Sequence, residues 1–372
     1  MAQCKQNAGY PEFSAAMGAG CSAICWPGGG GRHLYGRNLD FDRLAKGTGI
    51  LFVPGDHAYQ CCIDAADDRP AEHFRSRYAI MGMGLMLPGG TAALYDGINE
   101  KGLMGAQLYY RGFARFDSPC DQGTRLQPPL LVTHLLSQCS TVEEAVRLLQ
   151  EEVTLCGVPL LGTVPPLHWM FSDRGGEAVI LEPDADGLHI YRNTMGVMTN
   201  SPGYPWHRTH LLCFSGIQDA DRGTLHFGPE VIESCFSGSG CSGLPGDWSS
   251  PSRFVRLAFL QKYAQPGADE AADVTNLFHA LQSAAFPLGM VRVEQAPAAA
   301  HDADIRPFDY TVYSGVMCAE SLCYYWTSYE NQRIQGVSMR DLQKDSVVRR
   351  FDLGRAPDIL LHASGDGQAL TE

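Results

Sequence analysis

Cys21-Ser22-Ala23-Ile24-Cys25-Trp26-Pro27, four glycines at 28–31, and His33-Leu34-Tyr35-Gly36-Arg37-Asn38-Leu39-Asp40-Phe41-Asp42 read as two strands joined by a tight turn. Glycine reaches positive φ without a steric cost, so the 28–31 run reads as the turn. It is not a phosphate loop, because the Lys-Ser/Thr pair is missing. A hairpin of this kind returns Arg37 and Asp40 to the neighbourhood of Cys21. A thiol, a guanidinium and a carboxylate then share one site, and positive charge beside a thiol favours the thiolate nucleophile. A cut before Cys21 would add a free α-amine, able to act as base for its own residue's thiol. The plain alternative is a small apolar filler, the usual state of a buried cysteine. The chain has 13 cysteines, so residue type alone does not single out this one.

Composition narrows the classes. The 372 residues are 45% hydrophobic and 19% charged, the balance of a globular chain with a real core. That length fits one large domain or two ordinary ones. A net charge of −13 argues against a nucleic-acid partner, which needs a basic face. No run approaches the ~20 apolar residues of a membrane helix. Residues 1–20 lack the apolar stretch of about 7–15 residues that a secretory signal carries, and they read as a leader or propeptide. The odd cysteine count, with no CxxC pair, reads as reduced thiols in a cytoplasmic protein. His207, His210 and Cys213 fall at helical spacing, but no fourth ligand is apparent, and no metal is expected. Gly82-Met83-Gly84 lacks the third glycine of a dinucleotide fingerprint, and no cofactor is expected.

Strand patterns fill the first third, at Ile50–Pro54, Tyr78–Met83, Ala92–Ile98 and Leu103–Tyr110. The last two flank a turn at Asn99-Glu100-Lys101-Gly102. Helical spacing takes over at 127–151, where Ser140-Thr141-Val142-Glu143 has the form of a capping box. Strands return at Leu167–Ser172, Ala178–Glu182, Leu188–Tyr191 and Met195–Thr199. The 201–246 stretch is rich in Gly, Ser and Pro and reads as a long irregular excursion, functional or oligomer-forming. Helices follow at Ser252–Ala264 and Val274–Ala284, and then strands at Tyr310–Cys318, Leu322–Tyr329, Ile334–Met339 and Val347–Phe351. Strands, helices, then strands without a linker predict one α+β domain of packed layers.

Six stretches taken together resemble one family. They are Cys21-Ser22; Gly36-Arg37-Asn38-Leu39-Asp40; Tyr95 to Leu103; Met198 to His207; Gly243 to Phe254; and Tyr325 to Asn331. In this order they are similar to the choloylglycine hydrolases, which include penicillin V acylases and bile salt hydrolases. The resemblance implies an N-terminal nucleophile hydrolase with a four-layer αββα sandwich, often a homotetramer. It implies Cys21 as nucleophile, exposed by removal of residues 1–20, whereas most members place this cysteine directly after the initiator Met. It implies Asp40 orienting the α-amine, Arg37 beside the thiol, Asn200 donating its side-chain amide to the oxyanion, and Arg253 near the nucleophile. The second oxyanion position falls on Tyr109, where penicillin V acylases tend to have Tyr and bile salt hydrolases Asn.

The leading expectation is therefore a penicillin V acylase-type amidase with a small-molecule amide substrate, no membrane and no nucleic acid. Met83, Leu85, Met86 and Leu87 are candidates for its acyl pocket or for plain core. A bile salt hydrolase and an N-acyl homoserine lactone acylase are the rivals within the family. An unprocessed scaffold that only binds ligands is the alternative from another class.

Overall fold

The computed structural model describes residues 20–63, 72–117, 123–294, 298 and 302–363. Apart from Gly20, the expected leader lies outside them. Two antiparallel sheets occupy the middle of the fold. The first is built on β1 (Gly20–Pro27) and β2 (His33–Phe41), which pair along their length with Cys21 opposite Leu39 and Ala23 opposite Arg37. Directly opposed residues share a face, so the thiol and the guanidinium point to the same side. The order across this sheet is Val197–Met198, β1, β2, Phe308–Cys318, Cys323–Ser328 and Gln335–Ser338, with Val291–Arg292 also pairing on Phe308–Cys318. The second sheet runs Gly187–Tyr191, Ala178–Asp184, Leu167–Ser172, Met104–Tyr109, Ala92–Asn99, Ile80–Met86, Gly49–Val53 and Arg349–Phe351.

Helices cover both outer faces. On the second sheet lie α1 (Leu131–Gln138) and α2 (Val142–Glu151), whose Leu135, Val142 and Val146 pack with Leu94, Trp169 and Val179. A short helix, α3 (Tyr204–His210), precedes α4 (Ser250–Lys262) and α5 (Glu270–Ala284), which cover the first sheet. The close approach of α5 needs a glycine beneath it, because a Cβ at Gly36 would sit 3.0 Å from Leu277 Cδ1. Ala23, Met81, Ala106, Met170 and Met317 fill the space between the sheets. The result is the four-layer αββα sandwich. Since β1 is covered on both faces, it is buried from Gly20 to Ile24 and again at Trp26.

Three local expectations are corrected. The cap of α2 sits one residue later than the Ser140 reading. Thr141 is the N-cap and accepts from Glu144 N at 3.2 Å, while Glu144 accepts from Ser140 N at 2.7 Å. Burial of Val142 as the first helical residue selects this register. The 201–246 excursion holds α3 and an exposed hairpin, Leu225–Phe227 with Glu230–Ile232. Pro205 sits in the first turn of α3, where proline is well tolerated, so a proline-rich stretch can still hold a helix. The strand expected over Ile334–Met339 stops at Ser338, and Met339–Leu342 turns helical. Among the described residues no helix is long and apolar enough to cross a membrane.

Candidate active site

β1 presents Cys21 between the sheets, and three polar groups converge on it. Arg37 Nη2 lies 3.3 Å from the thiol sulfur. The Cys21 backbone N–H donates to Asn200 Oδ1 at 2.9 Å. Arg253, one turn into α4, donates to the Cys21 carbonyl, to Ser22 Oγ at 2.8 Å and to Asn200 Oδ1 at 2.7 Å. Asn200 is held in turn, with its N–H on Ser250 Oγ and its carbonyl accepting from His207 Nε2, both at 2.9 Å. The Asn200 side-chain amide, expected to donate to an oxyanion, donates one N–H to the Tyr109 carbonyl at 2.8 Å. A primary amide carries a second N–H.

Asp40 lies on the helix side of the sheet, opposite Thr311. Alternation along β2 puts it there, and a bulge puts Thr311 opposite it: Leu39 pairs with Tyr313 but Asp40 with Thr311, so Val312 is the extra residue. Asp40 Oδ1 accepts from Thr311 Oγ1 at 2.5 Å. Its Oδ2 is buried without a hydrogen-bond partner and stands 4.0 Å from Arg253 Nη1. Gly20, the residue before Cys21, is directly opposite Asp40. A Cβ at position 20 would meet Phe286 Cζ at 2.7 Å and Asp40 Cβ at 3.1 Å.

Sequence reasoning missed Asp96. This carboxylate is fully buried and accepts from Arg37 Nη1 at 2.8 Å. The hydroxyls of Tyr313 and Tyr324 donate to its two oxygens at 2.5 Å each. Arg37 also donates to Tyr313 Oη at 2.8 Å and to the Gln107 carbonyl at 3.1 Å. The guanidinium is thus fixed between a carboxylate and the thiol. The clue lay in Tyr95-Asp96-Gly97, but its facing direction depends on a second bulge, where Met83 pairs with Asp96 and Gly84 with Leu94.

Electrostatics follow from burial. Burial pushes the Cys21 thiol up, while Arg37 pulls it down. Burial also raises Asp40 to about 6, opposed by Arg253 and Thr311, and lowers His207 to about 4, so that imidazole is neutral. His207 stacks on Phe254 and His210 on Trp206, each with centroids 4.6 Å apart. Among the described residues these two histidines and Cys213 do not cluster as metal ligands.

A cavity of about 340 Å³ opens over Cys21 and Arg37. Leu39, Phe41, Leu85, Leu87, Tyr95 and Tyr109 line it, with Leu160, Leu161 and Leu167 farther along. Of the expected pocket residues, Leu85 and Leu87 are on its wall, whereas Met83 and Met86 are not. Met83 lies wholly within the core between the sheets. Met86 pairs with Ala92, one step out of phase with Leu85 and Ala93. The 201–246 stretch contributes nothing to this wall among the described residues.

The family model for linear amide C–N hydrolases, choloylglycine hydrolase family, matches residues 21–348. A bile salt hydrolase/transferase from Clostridium perfringens is 28% identical over 322 residues, covering 86% of this chain and 92% of that protein. A penicillin V acylase from Pectobacterium atrosepticum is 26% identical over 292 residues, covering 71% and 68%. A crystal structure of a mutant conjugated bile acid hydrolase from Clostridium perfringens superposes with a TM-score of 0.79 at 26% identity, over 92% of this chain and 99% of that one. Penicillin V acylase from Agrobacterium tumefaciens superposes with a TM-score of 0.68 at 21% identity, over 90% and 92%, a likeness of fold alone. The layered architecture and these neighbours make this an N-terminal nucleophile hydrolase fold.

Proposed function

The chain belongs to the choloylglycine hydrolase family of linear amide C–N hydrolases, and on that premise we propose a penicillin V acylase-type amidase whose nucleophile is Cys21, exposed by removal of residues 1–20. The α-amine takes the thiol proton, and its ordinary pKa of ~7.7–8.0 suits that task near neutral pH. The sulfur attacks the amide carbonyl, and the second N–H of Asn200 supports the oxyanion. The amine leaves with the proton and the acyl group stays on sulfur. Water, deprotonated by the α-amine, then releases the acid. Arg37 steadies the thiolate. Asp40 and Arg253 hold the N-terminal residue from the helix side. Attack of the Cys21 sulfur on the Gly20 carbonyl, an N-to-S acyl shift completed by water, would cut Gly20 from Cys21 and free the α-amine, which cannot itself be the base for that first step.

The observation that carries the acylase reading is the cavity wall. Beside the thiol it offers Leu39, Phe41, Leu85, Leu87 and the ring of Tyr109. An aryloxyacetyl or other apolar acyl group fits such a wall. The same cavity also carries Arg43, Gln107, Thr163 and Asp302, so a hydroxylated acyl group would find polar partners farther from the apolar wall. The second reading, a bile salt hydrolase, is favoured by the fuller coverage of the bile salt relatives. Turnover of penicillin V, glycocholate and taurocholate by protein beginning at Cys21 separates the two. A kcat/KM for glycocholate well above that for penicillin V sinks the acylase reading. Loss of all turnover in Cys21→Ala is expected in either case.

The homotetramer is part of the same proposal. Its support is the hairpin in the excursion, where Phe227, Val231 and Ile232 are exposed, an apolar surface of the kind that marks assembly. Light scattering on the processed protein reads the mass.

A further inference from the structure

Behind the thiol lies a second buried carboxylate that the mechanism above does not use. Asp309 is 3% exposed, and its Oδ1 is buried without a hydrogen-bond partner. It sits two residues before Thr311 on the strand Phe308–Cys318, so both side chains point to the helix side, where Thr311 holds Asp40. Two unpartnered carboxylate oxygens, Asp40 Oδ2 and Asp309 Oδ1, therefore occupy one buried layer. The charged groups facing Asp309 are Asp40 and Asp42 on and just after β2, and Arg253 on α4. Asp42 is itself paired bidentately with Arg43. Arg306, nearby in sequence, turns away to stack on Tyr310 and pair with Glu330.

With Asp42 paired to Arg43, Arg253 is the guanidinium left facing both Asp40 and Asp309. Buried charges persist only when paired, so two carboxylates share one cation while Cys21 is linked to Gly20 through a neutral amide. A cut at that bond would convert the amide nitrogen to an amine and remove the residue that lies against Asp40.

We propose that Asp309 is a positioning residue of the nucleophile's site, which together with Asp40 supplies the negative charge that receives the Cys21 α-ammonium and so sets the pH at which the amine becomes free to act as base. The inference rests on the reading that Cys21 becomes the N-terminus. Asp309 acts through the amine and Asp40 and does not touch the substrate. Burial and its acidic neighbours raise Asp309 to about 7, so its charge appears in the same range in which an α-amine titrates. The two groups and Asp40 then lose protons as a coupled set.

The test compares wild type, Asp309→Asn and Asp309→Glu, each verified by intact mass to begin at Cys21, over the pH profile of kcat/KM for penicillin V or glycocholate. Removing a nearby negative charge favours the neutral amine. The acid limb of the Asn variant is expected ~0.5–1 unit below that of wild type, with KM within about twofold, and Glu should return the limb toward wild type. A folded, processed Asn variant whose acid limb superimposes on that of wild type overturns the proposal, whatever its overall activity. If the Asn variant does not fold, Asp309→Ser takes its place and is read the same way. A wild type that keeps residues 1–20, or is active with a blocked N-terminus, defeats the nucleophile reading itself, and that result is distinct from an unmoved limb.

Discussion

Replacing Asp96 with asparagine should make the protein less stable and its thiol more reactive, two effects that ordinary damage would not produce together. The side chain is fully buried and bonded to Arg37 and to two tyrosine hydroxyls. Removing the charge leaves Arg37 buried without its carboxylate, and breaking a buried pair typically costs ~3–5 kcal/mol. Asparagine keeps the shape and one acceptor, so the lower end is expected. The guanidinium also faces the Cys21 sulfur at 3.3 Å. With Asp96 neutral, the thiolate becomes the anion that balances Arg37. An opposite charge at such range lowers a pKa by ~1–3 units. A fall of one unit gives about tenfold more thiolate near neutral pH, offset about threefold by the weaker nucleophilicity of a less basic sulfur. Alkylation of Cys21 by iodoacetamide at pH 7 should then run about threefold faster. The rate is followed on the Cys21 peptide by mass spectrometry, because other cysteines react too. Thermal unfolding of the same preparation reads stability. A folded Asp96→Asn protein whose Cys21 alkylates at the wild-type rate or slower refutes the view that Asp96 and the thiol compete for Arg37.

Gly20→Val should retain the leader, since its Cβ would meet Phe286 at 2.7 Å and Asp40 at 3.1 Å; intact mass reads the retained residues, and Phe286→Ala in the same chain should restore part of the processing. Tyr109→Asn should shift the kcat/KM ratio of glycocholate to penicillin V upward by about tenfold, a modest difference of pocket contacts worth ~1.4 kcal/mol; an unchanged ratio removes Tyr109 from substrate choice. For pH, the unprocessed Cys21→Ala protein is the informative form. Its Asp40 is raised to about 6 and Asp309 to about 7, each from an ordinary 3.8. A raised carboxylate contributes stability that is complete below pH ~4 and lost as pH climbs through the folded value. Asp309→Asn in that background should therefore gain on its parent between pH 5 and 8, by at most about 3 kcal/mol, as measured by denaturant unfolding at the two pH values. A constant difference between the two proteins would show that Asp309 does not titrate in this window.

The hairpin over residues 20–41 was legible because its turn is a run of glycine between two short strand patterns. Cys21 touches Arg37, Asn200 and Arg253, and Arg253 reaches Asp40. What remained hidden depends on contacts distant in sequence. Arg37 meets Asp96 and Tyr313 across 59 and 276 residues, and nothing local to β2 announces either. Met83 and Leu85 share a strand and a side, yet one is sealed in the core and the other lines the cavity. Their difference is distance from the sheet's middle, which alternation does not encode. Asp309 reads as an ordinary strand-end acid until Thr311, its neighbour but one, is seen to hold Asp40.

Both carboxylates that steer the nucleophile's surroundings sit beside an irregular step in a ladder. Asp40 follows the step created by Val312, and Asp96 adjoins the one created by Tyr95. A regular ladder would have kept Thr311 and Tyr313 on one face, as residues two apart always are. The extra Val312 parts them, sending Tyr313 to Arg37 and Asp96 between the sheets and Thr311 to Asp40 on the helix side. At Tyr95 the same device turns Asp96 inward while Leu94 packs beneath α1. One residue of slip flips every side chain beyond it, so the bulges bring Tyr313 and Asp96 to the thiol's side while Thr311 stays with Asp40 on the other. On the proposed reading, in which residues 1–20 are removed, the thiol answers to Asp96 through Arg37 and the free amine answers to Asp40 and Asp309. Acidity of the sulfur and basicity of the amine would then be set by separate carboxylates, which is why the substitutions at 96 and 309 should move different observables.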